Sequence, residues 1–325
     1  MVILLNQNEA PLPPPKEVLQ EAIQVIHKIN RYHSIDLYDE VRELYAEYTG
    51  IESWRIWIQP SSDLFFEEIY LRYVPYGGSI VAPYPSYYLF EEQMKFLGFN
   101  VERVELSLPS FTLDVNKYLR QLKYAGYVDN PNNPTGKLIV NRECIEKLSR
   151  SGKPLIIDES YYEFCKYTVV DLVRRYPRLS ILRSFSKAFA MAGARISILI
   201  CGDEIAKGFH HDIVAYRVST PSLAMAKAAL MNRWYVEELV DMILENRRYL
   251  EEELKNLGLE VFESCTNFIL VDTKVPNIVK RLRSNGILVK DLSETLGQGF
   301  IRVSVGLREE IDQFIHALRR IIKGN

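Results

Sequence analysis

The chain has 325 residues and a formal net charge of −2 at pH 7, with 47% of its residues hydrophobic and 25% charged. That length supplies ample core for one large domain or two smaller ones, and the composition is that of an ordinary globular protein. The near-neutral balance leaves no electrostatic footprint for nucleic acid or a membrane surface, so neither is expected as a partner.

Residues 1–15 are extended and proline-rich, with Pro11, Pro13, Pro14 and Pro15. Proline at that density excludes a helix interior and points to an arm that docks on another element. The opening MVILLNQNEAP lacks a basic segment, and its apolar run is too short for a signal peptide. No apolar run nears the ~18 residues that span a bilayer, so a soluble, cytoplasmic protein is expected. The spacing of Val18, Leu19, Ala22, Ile23 and Ile26 predicts a helix over Lys16–Ile29. DLYDEVRELYAEYTG reads as an amphipathic helix ended by Gly50. Short apolar strand candidates then recur: RIWI, GSIVAP, NVERVEL, YAGYVDN, KPLIIDES, LSILRSF and RISILICG. Helical stretches such as LFFEEIYLRYV, YYLFEEQMKFLG and RECIEKLSR lie between them. Strands alternating with helices predict an α/β domain on a mostly parallel sheet, with ligands bound beyond the carboxyl ends of the strands.

After Ser222 the texture changes. A long charge-rich stretch, AMAKAALMNRWYVEELVDMILENRRYLEEELKNLG, reads as one or two helices. FILVDT, a helix near Ile278–Ser284, GILVKD, FIRVSV and REEIDQFIHALRRII complete a small α+β domain. The expected plan is an arm and helix over 1–30, a large domain over 31–230 and a small one over 231–325. Cys144, Cys165, Cys201 and Cys265 form no C-x-x-C pair and read as free thiols in a reducing compartment. The five histidines form no H-E-x-x-H, and no metal constellation is evident.

Four stretches carry polar residues that a plain core would not choose. SFSKAFAMAGAR places Lys187 between Ser184, Ser186 and Arg195; a lysine is rarely buried unless paired, so a solvated amine competes with one that forms a Schiff base. DNPNNPTG, from Asp129 to Gly136, also suits a surface turn. LIIDESYYEFC puts Asp158 at the end of an apolar strand, where it also suits a helix cap. QPSSDLFFEEI opens a helix with Ser62 and Asp63, a ready anion site or another cap. No G-x-x-x-x-G-K-[ST] and no G-x-G-x-x-G follows a strand, so a nucleotide phosphate loop is absent.

In this order, PNNPTG, an aspartate at a strand end, S-x-S-K and an arginine eight residues on resemble the signature of the fold type I pyridoxal-phosphate aminotransferases, class I/II. The resemblance runs from LNQNEAP to IRVSVGLREE. It implies a large domain with a mostly parallel seven-stranded sheet flanked by helices, a small α+β domain, and pyridoxal 5'-phosphate as cofactor. It gives the Schiff-base and proton-transfer role to Lys187, the carboxylate beside the ring nitrogen to Asp158, the O3' donors to Asn133 and Tyr161, and ring stacking to Tyr87. Ser62, Asp63, Ser184, Ser186 and Arg195 would meet the phosphate. Arg302, with Asn8 and Asn133, would bind substrate. Tyr32, in NRYHS, would reach the neighbouring subunit's site, which implies a homodimer.

Local details resemble the histidinol-phosphate aminotransferases most: LNQNEAP, NRYHS, ESYYEFC, SKAFAMAGAR and VGLREE. The implied reaction moves an amino group between L-histidinol phosphate and 2-oxoglutarate. Threonine-phosphate decarboxylase is the nearest rival, but it usually carries Pro-Gly where this chain has Ala192-Gly193. A broader aromatic or other amino-acid aminotransferase, and a catalytically silent protein on the same fold, are the further alternatives. The chain departs from the family at Ser61-Ser62-Asp63, which replaces Gly-Ser-Asp or Gly-Ala-Asp, at His33 and at Ala10. It is also short for the family, which implies trimmed loops.

Overall fold

In the computed structural model, which describes residues 2–323, each of the ten short runs becomes a strand, and β1 and β9 join them. In chain order these are β1 (Ile3–Leu5), β2 (Ile56–Gln59), β3 (Ser79–Tyr84), β4 (Asn100–Glu105), β5 (Ala125–Asp129), β6 (Leu155–Asp158), β7 (Leu179–Ser184) and β8 (Ser197–Cys201). Four more follow: β9 (Glu260–Val261), β10 (Phe268–Asp272), β11 (Ile287–Asp291) and β12 (Phe300–Ser304).

Seven strands form the larger sheet in the order β2-β8-β7-β6-β5-β3-β4. β4, β3, β5, β6 and β7 run parallel to one another, and β8 runs antiparallel to both β7 and β2. All residues of β5, β6 and β8 are buried, as expected of strands covered on both faces. The sheet is mostly parallel, as the alternation of strand and helix predicts, but the reversal of β8 has no signature in its composition.

Register decides what gathers at one edge. Asp129 pairs with Asp158, Asp158 with Leu182, Ser184 with Ser197, and Ser197 with Gln59. Because β8 is reversed, its first residue lies beside the last residue of β7. The carboxyl edge therefore carries two carboxylates, two serines and a glutamine.

The smaller sheet has the order β1-β11-β12-β10-β9. β1 joins it in parallel, Ile3 opposite Ile287 and Leu5 opposite Val289. The extended arm is thus a sheet strand at its start. The helix Arg308–Ile322 lays Ile311, Phe314, Ile315, Leu318 and Ile321 into the core, the spacing of one helical face.

The long stretch after Ser222 is two helices, Thr220–Met231 and Trp234–Asn256. Gly50 ends the helix Ile35–Thr49 at φ 69°, a left-handed position that glycine adopts without strain. The first helix stops at Ile26, short of the predicted Ile29. Beyond it the backbone continues in turns, Lys28 N–H to Val25 O and Ile29 N–H to Ile26 O. Ile26 and Ile29 are exposed, so no burial within the chain holds another helical turn there. Among the described residues, no helix is long and apolar enough to cross a membrane.

Candidate active site

A cavity of about 560 Å³ opens at the carboxyl edge of the larger sheet, and the smaller sheet and the N-terminal arm supply its remaining walls. It brings together Asn8, Ser62, Asp63, Tyr87, Asn133, Asp158, Tyr161, Ser184, Ser186, Lys187, Arg195 and Arg302. Tyr32 is not among them: it is 86% exposed, with its ring edge-on to Tyr216 at 5.6 Å.

Lys187 sits in the turn after β7, where Ser184 Oγ accepts from Ser186 N–H at 3.1 Å. Its Nζ donates to Gln7 O of the arm at 3.0 Å. Burial, reinforced by the Arg302 guanidinium, pushes the amine down to about 8. A fraction of it is then neutral near physiological pH and able to act as nucleophile or base.

Asp158 ends β6. One carboxylate oxygen accepts from the Tyr127 hydroxyl at 3.0 Å and the other from Ser160 N–H at 2.9 Å. Burial still raises its carboxyl above the usual range. A cationic nitrogen placed against it would reverse that shift.

Tyr161 stands three residues further on. Its hydroxyl oxygen accepts from Asn8 Nδ2 at 2.9 Å, and burial pushes the phenol up to about 12, so it remains a donor. Asn8 is held at φ 54° by the smaller sheet: its N–H donates to Ser304 Oγ at 2.8 Å, and its carbonyl accepts from Asn267 Nδ2 at 3.0 Å.

Arg302 projects from β12. It donates to Asn133 Oδ1 at 2.5 Å and to Asn6 O at 2.7 Å, and its Nε is buried without a partner. Lys290, its register partner on β11, also lines the cavity. Burial, then the charge of Arg302, lowers the Lys290 amine. Ser62 and Asp63 begin the helix Ser62–Tyr73, whose cap is Ser61: its Oγ accepts from Asp63 N–H at 3.2 Å. Arg195 follows the turn Ala192–Ala194 at φ 53°, is exposed and lines the cavity. Ser222 Oγ fixes the preceding turn by donating to Ala194 O at 2.7 Å.

The chemistry of this donor set fits pyridoxal phosphate. It offers an amine of reduced basicity, a buried carboxylate, a phenol donor, and hydroxyls with an arginine at a helix start for a phosphate dianion. The buried unpartnered Arg302 Nε leaves a further donor for a substrate anion.

Residues 1–318 match the family model for aminotransferases of class I and II. The chain belongs to that family. Histidinol-phosphate aminotransferase of Sulfurisphaera tokodaii is 34% identical to this aminotransferase, across 99% of the chain and 90% of the relative. Histidinol-phosphate aminotransferase 2 of Archaeoglobus fulgidus is 32% identical, across 98% of the chain and 93% of the relative. Among solved structures, histidinol-phosphate aminotransferase of Sinorhizobium meliloti in complex with pyridoxal-5'-phosphate superposes with a TM-score of 0.89 at 24% identity, covering 99% of this chain and 91% of that one.

Two charged strand residues in the cavity wall of the aminotransferase escape the sequence reading. Asp129 is buried beside Asp158 and accepts four hydrogen bonds, from Ser86 Oγ at 2.8 Å, Tyr87 N–H at 3.2 Å, Asn132 Nδ2 at 3.0 Å and Asn133 N–H at 2.9 Å. It sets the positions of Tyr87 and Asn133, and burial pushes its carboxyl up to about 7. Its signal was the one that marks Asp158, an acid directly after a buried apolar run. Lys290 carried no signal beyond its place in GILVKD.

Proposed function

We propose that the chain is a pyridoxal-phosphate-dependent aminotransferase that moves the amino group of L-histidinol phosphate to 2-oxoglutarate. The carrying observation is the Lys187 amine, lowered to about 8 by burial and Arg302 in a cavity that also holds Asp158 and Tyr161. The substrate follows from the names of the two relatives, whose length this chain spans almost fully.

Bound pyridoxal phosphate would supply an electron-withdrawing ring and a carbonyl that takes up the substrate amine. Lys187 Nζ would hold it and then carry the proton taken from the substrate's α-carbon. The Asp158 carboxylate would keep the proton on the ring nitrogen, with Tyr127 and Ser160 fixing its direction. Tyr161 and Asn133 would face the ring oxygen and Tyr87 the ring plane. Ser184, Ser186, Arg195 and the helix start at Ser62 and Asp63 would meet the phosphate. Arg302, positioned by Asn133 and Asn6, would bind the substrate's anionic group, with Asn8 beside it.

On this reading residues 31–230 form the cofactor-binding domain, 231–325 the smaller domain, and 1–30 an arm that serves both. The protein works in the cytoplasm as a homodimer. Leu19, Ile23, Ile26, Ile29 and Tyr32 support the dimer, since they leave an apolar strip exposed on and after the first helix. Tyr32 would cross to the neighbouring site.

The test is the absorbance spectrum of the purified protein with pyridoxal phosphate, then with L-histidinol phosphate, then with 2-oxoglutarate. A band near the visible edge that collapses with the amino donor and returns with the keto acid supports the proposal. A band that responds only to other amino acids removes the substrate, and no band removes the role of Lys187. Release of CO2 from threonine phosphate without a keto acid would select the decarboxylase instead.

A further inference from the structure

The larger sheet parts at its carboxyl edge. The ladder between β3 and β5 holds two register pairs, Ile80 with Ala125 and Val81 with Gly126; beyond them β3 keeps to β4, and β5 keeps to β6. Here the strand order reverses: β3 leads outward to β4, while β5 leads back across the sheet to β6 and β7. Such a switch point opens a crevice in which ligands bind. Asp129, the last residue of β5, bridges it. Its Oδ1 accepts from Ser86 Oγ at 2.8 Å and Asn132 Nδ2 at 3.0 Å, and its Oδ2 accepts from Tyr87 N–H at 3.2 Å and Asn133 N–H at 2.9 Å. Two of these donors belong to the segment after β3 and two to the turn after β5. Asn132 adds a strut across the same gap, donating from Nδ2 to Pro85 O at 3.0 Å. A carboxylate offers about four lone-pair sites. Those of Asp129 are all taken, so it stands in the cavity wall with none left for a ligand.

We propose that Asp129 is a positioning residue that clamps the two lips of this crevice and so sets the cofactor's seat and the substrate's anion anchor as one unit. Tyr87 stands on one lip and Asn133 on the other. Asn133 spends its Oδ1 on Arg302 Nη1 at 2.5 Å, which leaves Nδ2 as the donor for the cofactor's ring oxygen. A chain of hydrogen bonds thus runs from Asp129 through Asn133 to Arg302. Asp158, the register partner of Asp129 on β6, is built for the opposite task. It accepts from Tyr127 Oη and Ser160 N–H, one on each oxygen, and keeps lone pairs for a ring nitrogen. One acid touches the cofactor, and its neighbour aligns what surrounds it.

Asp129→Asn would loosen the clamp without emptying its place. The amide keeps one acceptor oxygen and turns two N–H donors towards donors, so the bonds to one of the two oxygens are lost. Tyr87 and Asn133 then lose their common mount. Both the amino donor and the keto acid would present an anion to Arg302, so both KM values rise together. Tyr87 and Asn133 also hold the cofactor, so its release quickens. The effect on turnover rests on the proposed aminotransferase function; the effect on cofactor retention requires only that the cofactor binds.

The experiment compares holoenzymes of the parent, Asp129→Asn and Ser86→Ala. It reads the visible band, the rate of cofactor release, and KM and kcat for each substrate per bound cofactor. In Asp129→Asn both KM values and the release rate should rise about tenfold, with the band displaced, since a misplacement of about 1 Å can cost ~10²-fold. Ser86→Ala removes one of the four donors and should move the same readings about threefold in the same direction. Added to Asn133→Ala, Asp129→Asn should raise KM by less than it does alone, because the two residues lie on one path. An Asp129→Asn protein that unfolds more easily but keeps the parent's band, release rate and KM values overturns the proposal, as does strict additivity with Asn133→Ala. If Asp129→Asn does not fold, Ser86→Ala decides, and an unchanged band and KM there overturn the clamp. A parent that binds the cofactor but transfers no amino group would overturn the proposed function instead, and the release rates would still decide the clamp.

Discussion

Arg183 and Lys187 stand four residues apart on one stretch of chain, and the fold treats their charges in opposite ways. Arg183 is 2% exposed, inside β7. Glu159 Oε2 accepts from its Nε at 2.9 Å and its Nη2 at 2.6 Å, Thr168 Oγ1 accepts at 2.9 Å, and its Cζ lies 3.6 Å from the centre of the Tyr162 ring. Lys187, just beyond the strand end, has a backbone carbonyl as its one hydrogen-bond partner among the described residues. Arg302 and Arg195 both work against its proton. In a low-dielectric interior, a charge given all its partners becomes a fixture, and one left short of them becomes reactive. The strand end is the boundary between the two treatments.

Removing the reactive charge has the largest expected effect. Lys187→Ala should lower transaminase turnover by ~10³-fold or more and abolish the cofactor's visible band. The cofactor-free variant should be no less stable than its parent at neutral pH. Because folding lowers the lysine's pKa, ionising it in the fold carries a penalty. That penalty is complete below about pH 8 and is relieved as pH rises from there towards the unfolded value near 10.4. A lower melting temperature at pH 7 would contradict the contrast.

Removing the paired charge should do the reverse. Arg183→Met leaves Glu159 buried and uncompensated, and should reduce stability by about 3–5 kcal/mol in urea unfolding. A loss below about 1 kcal/mol would show that the pair is replaceable by packing.

Asp129 falls between the two, since it is buried with four donors yet no cation. Asp129→Asn would turn an amide donor towards donors already there, and should cost about 2 kcal/mol. Its carboxyl is raised by folding to about 7, so its protonated form contributes stability fully below about pH 4, and that contribution is lost as pH rises through 7. The variant's stability should lack this slope between pH 4 and 7. An unchanged slope would assign the titration elsewhere.

Capture of pyridoxal phosphate by the cofactor-free protein should quicken about tenfold per pH unit up to about 8 and then level off, as the neutral Lys187 amine accumulates. A flat profile would place the attacking amine's titration outside that range. The smallest expected effect is that of Ser61→Ala, which removes the cap of the helix at Ser62 and should cost about 1 kcal/mol in thermal unfolding.

The strands β2 to β8 and β10 to β12 were legible because each is a short, largely apolar run ending in polar residues, whereas the two-residue β9 is too short to leave a pattern; Gly50 was legible because a helix end needs a left-handed residue. The reversal of β8 was not, since RISILICG is equally apolar in either direction. β1 was readable only as an extended segment, because its partner lies at the far end of the chain. Ordered motifs led to the residues that line the cavity, as each has local turn or strand-end chemistry. Asp129 and Lys290 escaped because their meaning depends on register: Asp129 lies opposite Asp158, and Lys290 opposite Arg302. Tyr32, which the NRYHS resemblance assigns to the neighbouring subunit's site, lies outside the cavity of its own chain.

The arm also sets an order of assembly. Asn6, Gln7 and Asn8 supply the contacts to Arg302, Lys187 and Tyr161, and they are held there by a strand whose partner is Ile287–Val289. On the ribosome the arm must wait until Ile287–Val289 has emerged. The larger sheet can form while one wall of its pocket is still untethered. A fusion joined just ahead of β1 would load the last piece of the fold to be fitted, and deleting Ile3–Asn8 would open the pocket rather than trim a tail.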